Sequence, residues 1–307
     1  MPYEHLIIDC DPGVDDAIAL LLALASPELV IRGITTVAGN VPLVSILRNT
    51  RQICELAARP DVPVYAGCPR PMLRRLATAE SVHGTSGLGG AMLPAPTMPI
   101  QPHHAVDFLT ETLSQTDQPL TLATLAPLTN MAVALIKTPA IAPQIQRIVM
   151  MGGSLTVGNI TPSAEFNIYV DPHAAHVVLT SGIPITLIGL HVTHQVLTTP
   201  DRLQRLRHLG TPVAQAAADM LAEYGTQEAA QRGWSGPPLH DPCVIAYLLQ
   251  PGLFSSQPAE VQVEINSELT LGRTVIDFQS RQPNAEVVTS VDAEGFYDLL
   301  IDRLARY

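Results

Sequence analysis

Short apolar runs alternate with longer stretches of helical spacing along most of the chain. The runs at His5–Asp9, Val30–Val37, Val62–Ala66, Leu120–Leu125, Arg147–Met151 and Ile185–Leu190 are apolar on both sides, as parallel strands covered by helices on both faces are. Between them, helical patterns occupy Ala17–Ala25, Leu43–Ala58, Ala105–Ser114, Leu128–Ile136 and Pro172–Thr180. Strand-helix-strand alternation predicts an α/β fold: an open, mostly parallel, doubly wound sheet with helices on both faces. The tail departs from this rhythm. Glu260–Ile265 and Thr274–Phe278 read as a hairpin, followed by a strand at Val287–Val291 and a helix from Ala293 to Arg306. No internal repeat or linker interrupts the pattern, so one domain over residues 1–307 is expected.

In such sheets ligands bind beyond the carboxyl ends of the strands. Every polar cluster suited to chemistry falls there. Asp9–Asp16 follows the first strand, Gly39-Asn40 the second, Leu125-Ala-Pro127 the fourth, Gly152–Asn167 the fifth and His191–His194 the sixth. That convergence predicts one active site.

The segment Leu6-Ile-Ile-Asp-Cys-Asp-Pro-Gly-Val-Asp-Asp-Ala17 packs four aspartates into eight residues, at the passage from an apolar strand to an apolar helix. Carboxylates this close repel one another unless a cation lies among them, and a hard divalent metal takes oxygen donors. An N-cap explains one aspartate, not four. In Leu239-His-Asp-Pro242, Asp241 and Pro242 fit the start of a helix. Beside the aspartate cluster, Asp241 also offers a late oxygen ligand and His240 a general acid. The Gly-rich loop Gly152–Asn167 carries Asn159, Glu165 and Asn167, groups that can hold a sugar; composition alone equally fits a flexible surface loop. His83, before Gly84 and a further run of glycines, is either carried over the site by a mobile loop or simply exposed.

Composition narrows the class. The net charge is −11 and Lys137 is the single lysine, which argues against nucleic-acid and acidic-membrane partners. Arg202, Arg205 and Arg207 are spaced like an exposed helix face. The longest apolar stretch, Ala17–Ala25, is about half a bilayer span, so no transmembrane helix is expected. Cys10, Cys54, Cys68 and Cys243 form no Cys-x-x-Cys pair and read as reduced, mostly buried thiols. With no basic leader at the amino terminus, a cytoplasmic location is expected.

Taken together, Asp9-x-Asp11-Pro-Gly-Val-Asp15-Asp16, Thr35-Thr-Val-Ala-Gly-Asn40, His83-Gly84, Ala126-Pro-Leu-Thr-Asn130, Met151-Gly-Gly153, Gly158-Asn159, Ala164-Glu-Phe-Asn167, Asp171-Pro172, Val192-Thr-His194 and Leu239-His-Asp-Pro242 resemble the inosine-uridine preferring nucleoside hydrolases over nearly the whole chain. The resemblance implies calcium-dependent hydrolysis of the N-glycosidic bond of ribonucleosides, giving ribose and free base for purine and pyrimidine salvage. It implies one calcium ion held by Asp11, Asp16, Asp241 and the carbonyl of Leu125. Asp11 is then the general base, His240 the leaving-group acid and His83 a helper. Asp15, Asn40, Met151, Asn159, Glu165, Phe166, Asn167 and Tyr224 line the substrate site, Asp15 taking the 2′-hydroxyl. A homodimer or homotetramer is implied as well. The chain departs from the family's pattern at Ala126, at His191 and at Glu228, which stands one turn after Tyr224 where a second tyrosine is common. Two rivals remain: a magnesium-dependent haloacid dehalogenase-like phosphohydrolase, which needs a cation on the phosphate, and a calcium- and nucleoside-binding protein without turnover.

Overall fold

The computed structural model describes residues 3–307. The first half runs β1 (Glu4–Cys10), α1 (Val14–Leu24), β2 (Leu29–Thr36), α2 (Leu43–Leu56), β3 (Val64–Ala66), α3 (Glu80–His83), α4 (Ala105–Gln115), β4 (Leu120–Thr124), α5 (Thr129–Lys137) and β5 (Ile145–Met151). There follow α6 (Phe166–Val170), α7 (Pro172–Leu179), β6 (Ile185–Ile188), α8 (Leu190–Thr193), α9 (Pro200–Arg207), α10 (Pro212–Glu223), α11 (Thr226–Arg232) and α12 (Pro242–Leu249). The chain closes with β7 (Phe254–Val263), β8 (Thr274–Asp277), β9 (Ala285–Val291) and α13 (Ala293–Leu304).

Among the described residues the strands join one nine-stranded sheet in the order β3-β2-β1-β4-β5-β6-β9-β7-β8. Pairing is parallel from β3 through to β9; β7 pairs antiparallel with both β9 and β8. The chain winds outward from β1 to β3 in one direction and from β4 to β6 in the other. The switch point therefore lies between β1 and β4, where a ligand crevice forms in such sheets.

Alternation along β1 shows how the layers are filled. Leu6, Ile8 and Cys10 join a core with α1, α10, α12 and α13, whereas Ile7 faces the opposite core with α4, α5 and α7. Every residue of α1 is buried, so this helix is internal and its first-turn Asp15 and Asp16 are held beneath the surface.

The predicted strands and helices recur with shifted ends. The sixth strand stops at Ile188, not Leu190, because Gly189 caps the short α8. The seventh is longer than expected, since Phe254–Ala259 pairs with β9 before the remainder pairs with β8. Arg202 and Arg205 do not form a free basic face. Both pair with Glu294 of α13, Arg205 also reaches Asp298, and the Arg202 guanidinium lies 4.4 Å above the Tyr297 ring. No helix of the described residues is long and apolar enough to cross a membrane.

Candidate active site

At the switch point the loops after β1, β2, β4 and β5 meet α3, α11 and the start of α12 around a cavity, the place where small-molecule sites form in such sheets. Its floor is carboxylate. Asp11, Asp15, Asp16 and Asp241 are each at most 4% exposed. Oxygens of Asp15, Asp16 and Asp241 lie within 4.8 Å of one another, while Asp11 stands beside this trio.

The backbone sets these side chains. The first Asp16 oxygen accepts from the Asp11 N–H at 3.1 Å, and the second from Gly13 N–H at 3.2 Å and Asn40 Nδ2 at 3.0 Å. Asp11 Oδ2 accepts from the Asn40 N–H at 2.7 Å, but Asp11 Oδ1 and Asp15 Oδ1 are buried without a partner. Burial, reinforced by repulsion from Asp16, holds the Asp11 carboxyl well above the usual range. Asp241 is raised in the same way by burial and then by Asp15, and Asp16 reaches about 8 for the same two causes. Among the described residues no lysine or arginine pairs with these carboxylates. Hard oxygen donors, buried, mutually repelling and partly unpartnered, are what a divalent cation neutralises.

Asp9 has a separate task. Its Oδ1 accepts from Thr35 Oγ1 at 2.6 Å and Asn130 Nδ2 at 2.8 Å, and Asn130 Oδ1 accepts from the Cys68 N–H. This clamp ties together β1, β2, α5 and the loop after β3 beneath the pocket.

The other expected residues are brought to the same cavity, with contacts of their own. Tyr224, buried at the end of α10, donates to Asp15 Oδ2 at 3.0 Å across 209 positions of sequence. Glu165 caps α6: its oxygens accept from the N–H groups of Asn167, Gly153 and Ile168, and burial raises its carboxyl to about 7. Asn167 Nδ2 donates to the carbonyls of Leu125 at 2.8 Å and Met151 at 3.3 Å. Asn159 lies at the exposed rim, accepting from the Phe166 N–H, and Phe166 and Met151 complete the wall.

His83 is neither exposed nor on a loop. It ends α3, is 5% exposed, and its Nδ1 accepts from the Val14 N–H at 3.1 Å while lying 3.9 Å from Asp15 Oδ1. Burial lowers its pKa. The reason no sequence pattern shows this is that the imidazole fills the space left by Gly13, where a Cβ would come within 2.5 Å of Nδ1.

His240 is half-buried, its Nδ1 2.7 Å from Thr193 Oγ1; burial lowers its pKa against the pull of Asp15. Behind it the His194 ring lies 4.7 Å from Trp234, over which Arg232 packs at 5.0 Å. Glu228 lines the mouth and pairs with Arg232 at 2.8 Å. Asn130, Thr193 and His194 fall within motifs that carry the family resemblance, but the sequence assigns them no role of their own, and nothing in the local sequence marks the rim residues Thr78, Ala79, Ser81 and Val82. His191 bonds the Val288 carbonyl through Nε2, at the sheet rather than in the pocket.

Gly39 offers a direct test of how tightly the floor is built. A Cβ there would lie 2.0 Å from Asp11 Oδ2, whereas one at Gly252 meets nothing within 4 Å. Gly39→Ala is expected to weaken divalent-metal affinity at least about tenfold, as misplacing a ligand-holding contact does, with Gly252→Ala unchanged. Calorimetric metal titration checks this, and equal affinities in the two variants would refute it.

Fold and site together define an α/β enzyme with a small-molecule pocket. The family model for the inosine-uridine preferring nucleoside hydrolases matches residues 6–298. The chain is similar to the pyrimidine-specific ribonucleoside hydrolase RihA of Shewanella sp. strain MR-7, 47% identical over 98% of this chain and 96% of that one. It is 46% identical to the protein of the same name from Salmonella gallinarum strain 287/91, over 98% of each. Among solved structures it resembles a purine-preferring ribonucleoside hydrolase from Gardnerella vaginalis (TM-score 0.92, 33% identity, 98% of each chain) and a plant nucleoside hydrolase (TM-score 0.93, 31% identity, 99% of each). The chain belongs to the inosine-uridine preferring nucleoside hydrolase family, and so to the hydrolases acting on N-glycosyl compounds. The phosphohydrolase reading falls with this, and Lys137, the single lysine, pairs with Asp107 at the surface rather than facing the pocket.

Proposed function

We propose that the enzyme hydrolyses the N-glycosidic bond of ribonucleosides, pyrimidine ribonucleosides foremost, with calcium resident among its buried carboxylates. The carrying observation is the floor itself: Asp11, Asp15, Asp16 and Asp241 buried together, with Asp11 Oδ1 and Asp15 Oδ1 unpartnered. The donor set fits a hard cation, held by Asp11, Asp16, Asp241 and the Leu125 carbonyl. When bound, calcium would offset the carboxylates' repulsion and acidify water. Pyrimidine preference is supported by the RihA relatives, which match this chain at higher identity than the purine-preferring structure does.

Asp11 accepts the proton of the attacking water through Oδ1, the oxygen that the Asn40 N–H leaves free. Asp15, braced by Tyr224, accepts from the 2′-hydroxyl. Asn159, Glu165 and Asn167 hold the 3′- and 5′-hydroxyls, Met151 and Phe166 pack against the nucleoside, and Asn40 positions the water. As the C1′–N bond breaks, positive charge grows on the sugar, and the carboxylate floor stabilises it. His240 delivers a proton to the departing base, with His83 assisting. Partial burial weakens this imidazole's hold on its proton, so once protonated it gives that proton up readily. A cytoplasmic salvage role accords with four unpaired cysteines, and an assembly of two or four copies with the family resemblance.

Release of reducing sugar from uridine, cytidine, inosine and adenosine, measured with calcium and after chelation, tests the reading. Calcium-dependent release, fastest from the pyrimidines, is expected. No release from any nucleoside by calcium-loaded protein would leave a binding protein without turnover. Because Asp15 accepts from the 2′-hydroxyl in this reading, deoxyuridine should show kcat/KM on the order of 100-fold below uridine; comparable values would remove Asp15 from the sugar.

A further inference from the structure

Thr193 is fully buried at the end of α8, and its hydroxyl lies 2.7 Å from His240 Nδ1. Among the described residues that hydroxyl has no other partner. Its place is fixed from the sheet: Gly189 follows β6 directly, and the Thr193 N–H donates to the Gly189 carbonyl at 3.2 Å. His240 lines the cavity, and His194 meets it only edge-on, ring centroids 5.8 Å apart. With Nδ1 occupied, Nε2 is the nitrogen left for a ligand.

We infer that Thr193 is the positioning residue for His240, holding Nδ1 so that Nε2 is the nitrogen turned to the departing base. The inference rests on the hydrolase reading above and on His240 as its acid. A hydroxyl suits the task because it both donates and accepts. It accepts from Nδ1–H in the protonated ring and equally in the neutral ring left once Nε2 has given its proton to the base, and it can donate to Nδ1 whenever the hydrogen sits on Nε2 instead. The ring therefore keeps one orientation before and after the proton moves from Nε2 to the base. An alkyl group at this position leaves Nδ1 unpaired against the wall and frees the ring to turn about Cβ–Cγ, taking Nε2 away from the substrate.

The test compares uridine with p-nitrophenyl β-ribofuranoside, whose leaving group departs as a stable phenolate and needs no acid. Thr193→Val should lower kcat for uridine about 10- to 100-fold, a share of the 10²–10⁴ that a general acid contributes. KM should change little, and turnover of the nitrophenyl riboside should stay within about twofold. Thr193→Ser, which restores the hydroxyl, should recover most of the uridine rate. Retained nitrophenyl turnover shows that the variant is folded; should Thr193→Val not fold, Thr193→Ala gives the same comparison. Parallel loss on both substrates would reveal a merely structural residue and overturn the inference, as would a valine variant equal to wild type on uridine. A wild-type enzyme inert toward every riboside would overturn the parent reading, and this one with it.

Discussion

Replacing Asp11 by alanine is expected to lower kcat/KM for uridine by about 10⁴-fold or more, the upper end of what loss of a general base costs. On the proposed mechanism, two functions disappear at once. The water loses the acceptor at Oδ1, and the buried floor loses one of its cation-holding oxygens. The fold should survive, because the hydrogen bonds that bind Asp16 to the backbone are made by Asp16 itself, and only the Asn40 N–H loses its partner. Asp11→Asn separates the two functions: the amide still offers an oxygen to the cation but accepts a proton poorly, so metal affinity should fall less than turnover. Steady-state kinetics beside calorimetric calcium titration reads both. An alanine variant within tenfold of wild type would exclude Asp11 as the base.

The second large effect is on stability. In metal-free protein Asp16 has a folded-state pKa of about 8 against an ordinary 3.8, and burial and repulsion raise Asp11 and Asp241 as well. Between those limits the folded chain binds more protons than the unfolded one, so this contribution is complete at low pH and is lost as pH rises toward 8. On the proposed reading, calcium bound there would compete with those protons and replace their effect. The buried histidines, whose pKa values are lowered, act in the opposite direction below about pH 6.5, and the difference between calcium-loaded and chelated protein largely cancels them. That difference in Tm should grow from near zero at pH 5 to on the order of 10 °C at pH 8. Differential scanning calorimetry at the two pH values decides it; a gap independent of pH would show that the carboxylates are not what the cation neutralises.

What was legible in the chain divides by range. The strand frame could be read because β1, β4 and most of β5 are buried on both faces, which leaves uninterrupted apolar runs. The aspartate cluster could be read because its members are neighbours in sequence. The segment from α8 to α11 gave little signal: α9 is mostly polar, and its Arg202 and Arg205 are satisfied by α13, nearly a hundred residues later. His83 was open between exposed and functional because its burial depends on Gly13, a partner that no local spacing reveals. Asp9 was counted with the metal-ready aspartates until Thr35 and Asn130 gave it a clamp of its own.

The bond between Tyr224 and Asp15, 209 positions apart, bears on how the enzyme is made. Asp11, Asp15 and Asp16 leave the ribosome early, while Tyr224, His240 and Asp241 emerge only after most of the sheet has been synthesised. A growing chain thus holds three crowded carboxylates with neither their distant brace nor their last companion. On the proposed mechanism, turnover becomes available only when these distant segments have met, so activity would report completed folding, and a chain interrupted before α12 would be silent however well its first strands have formed.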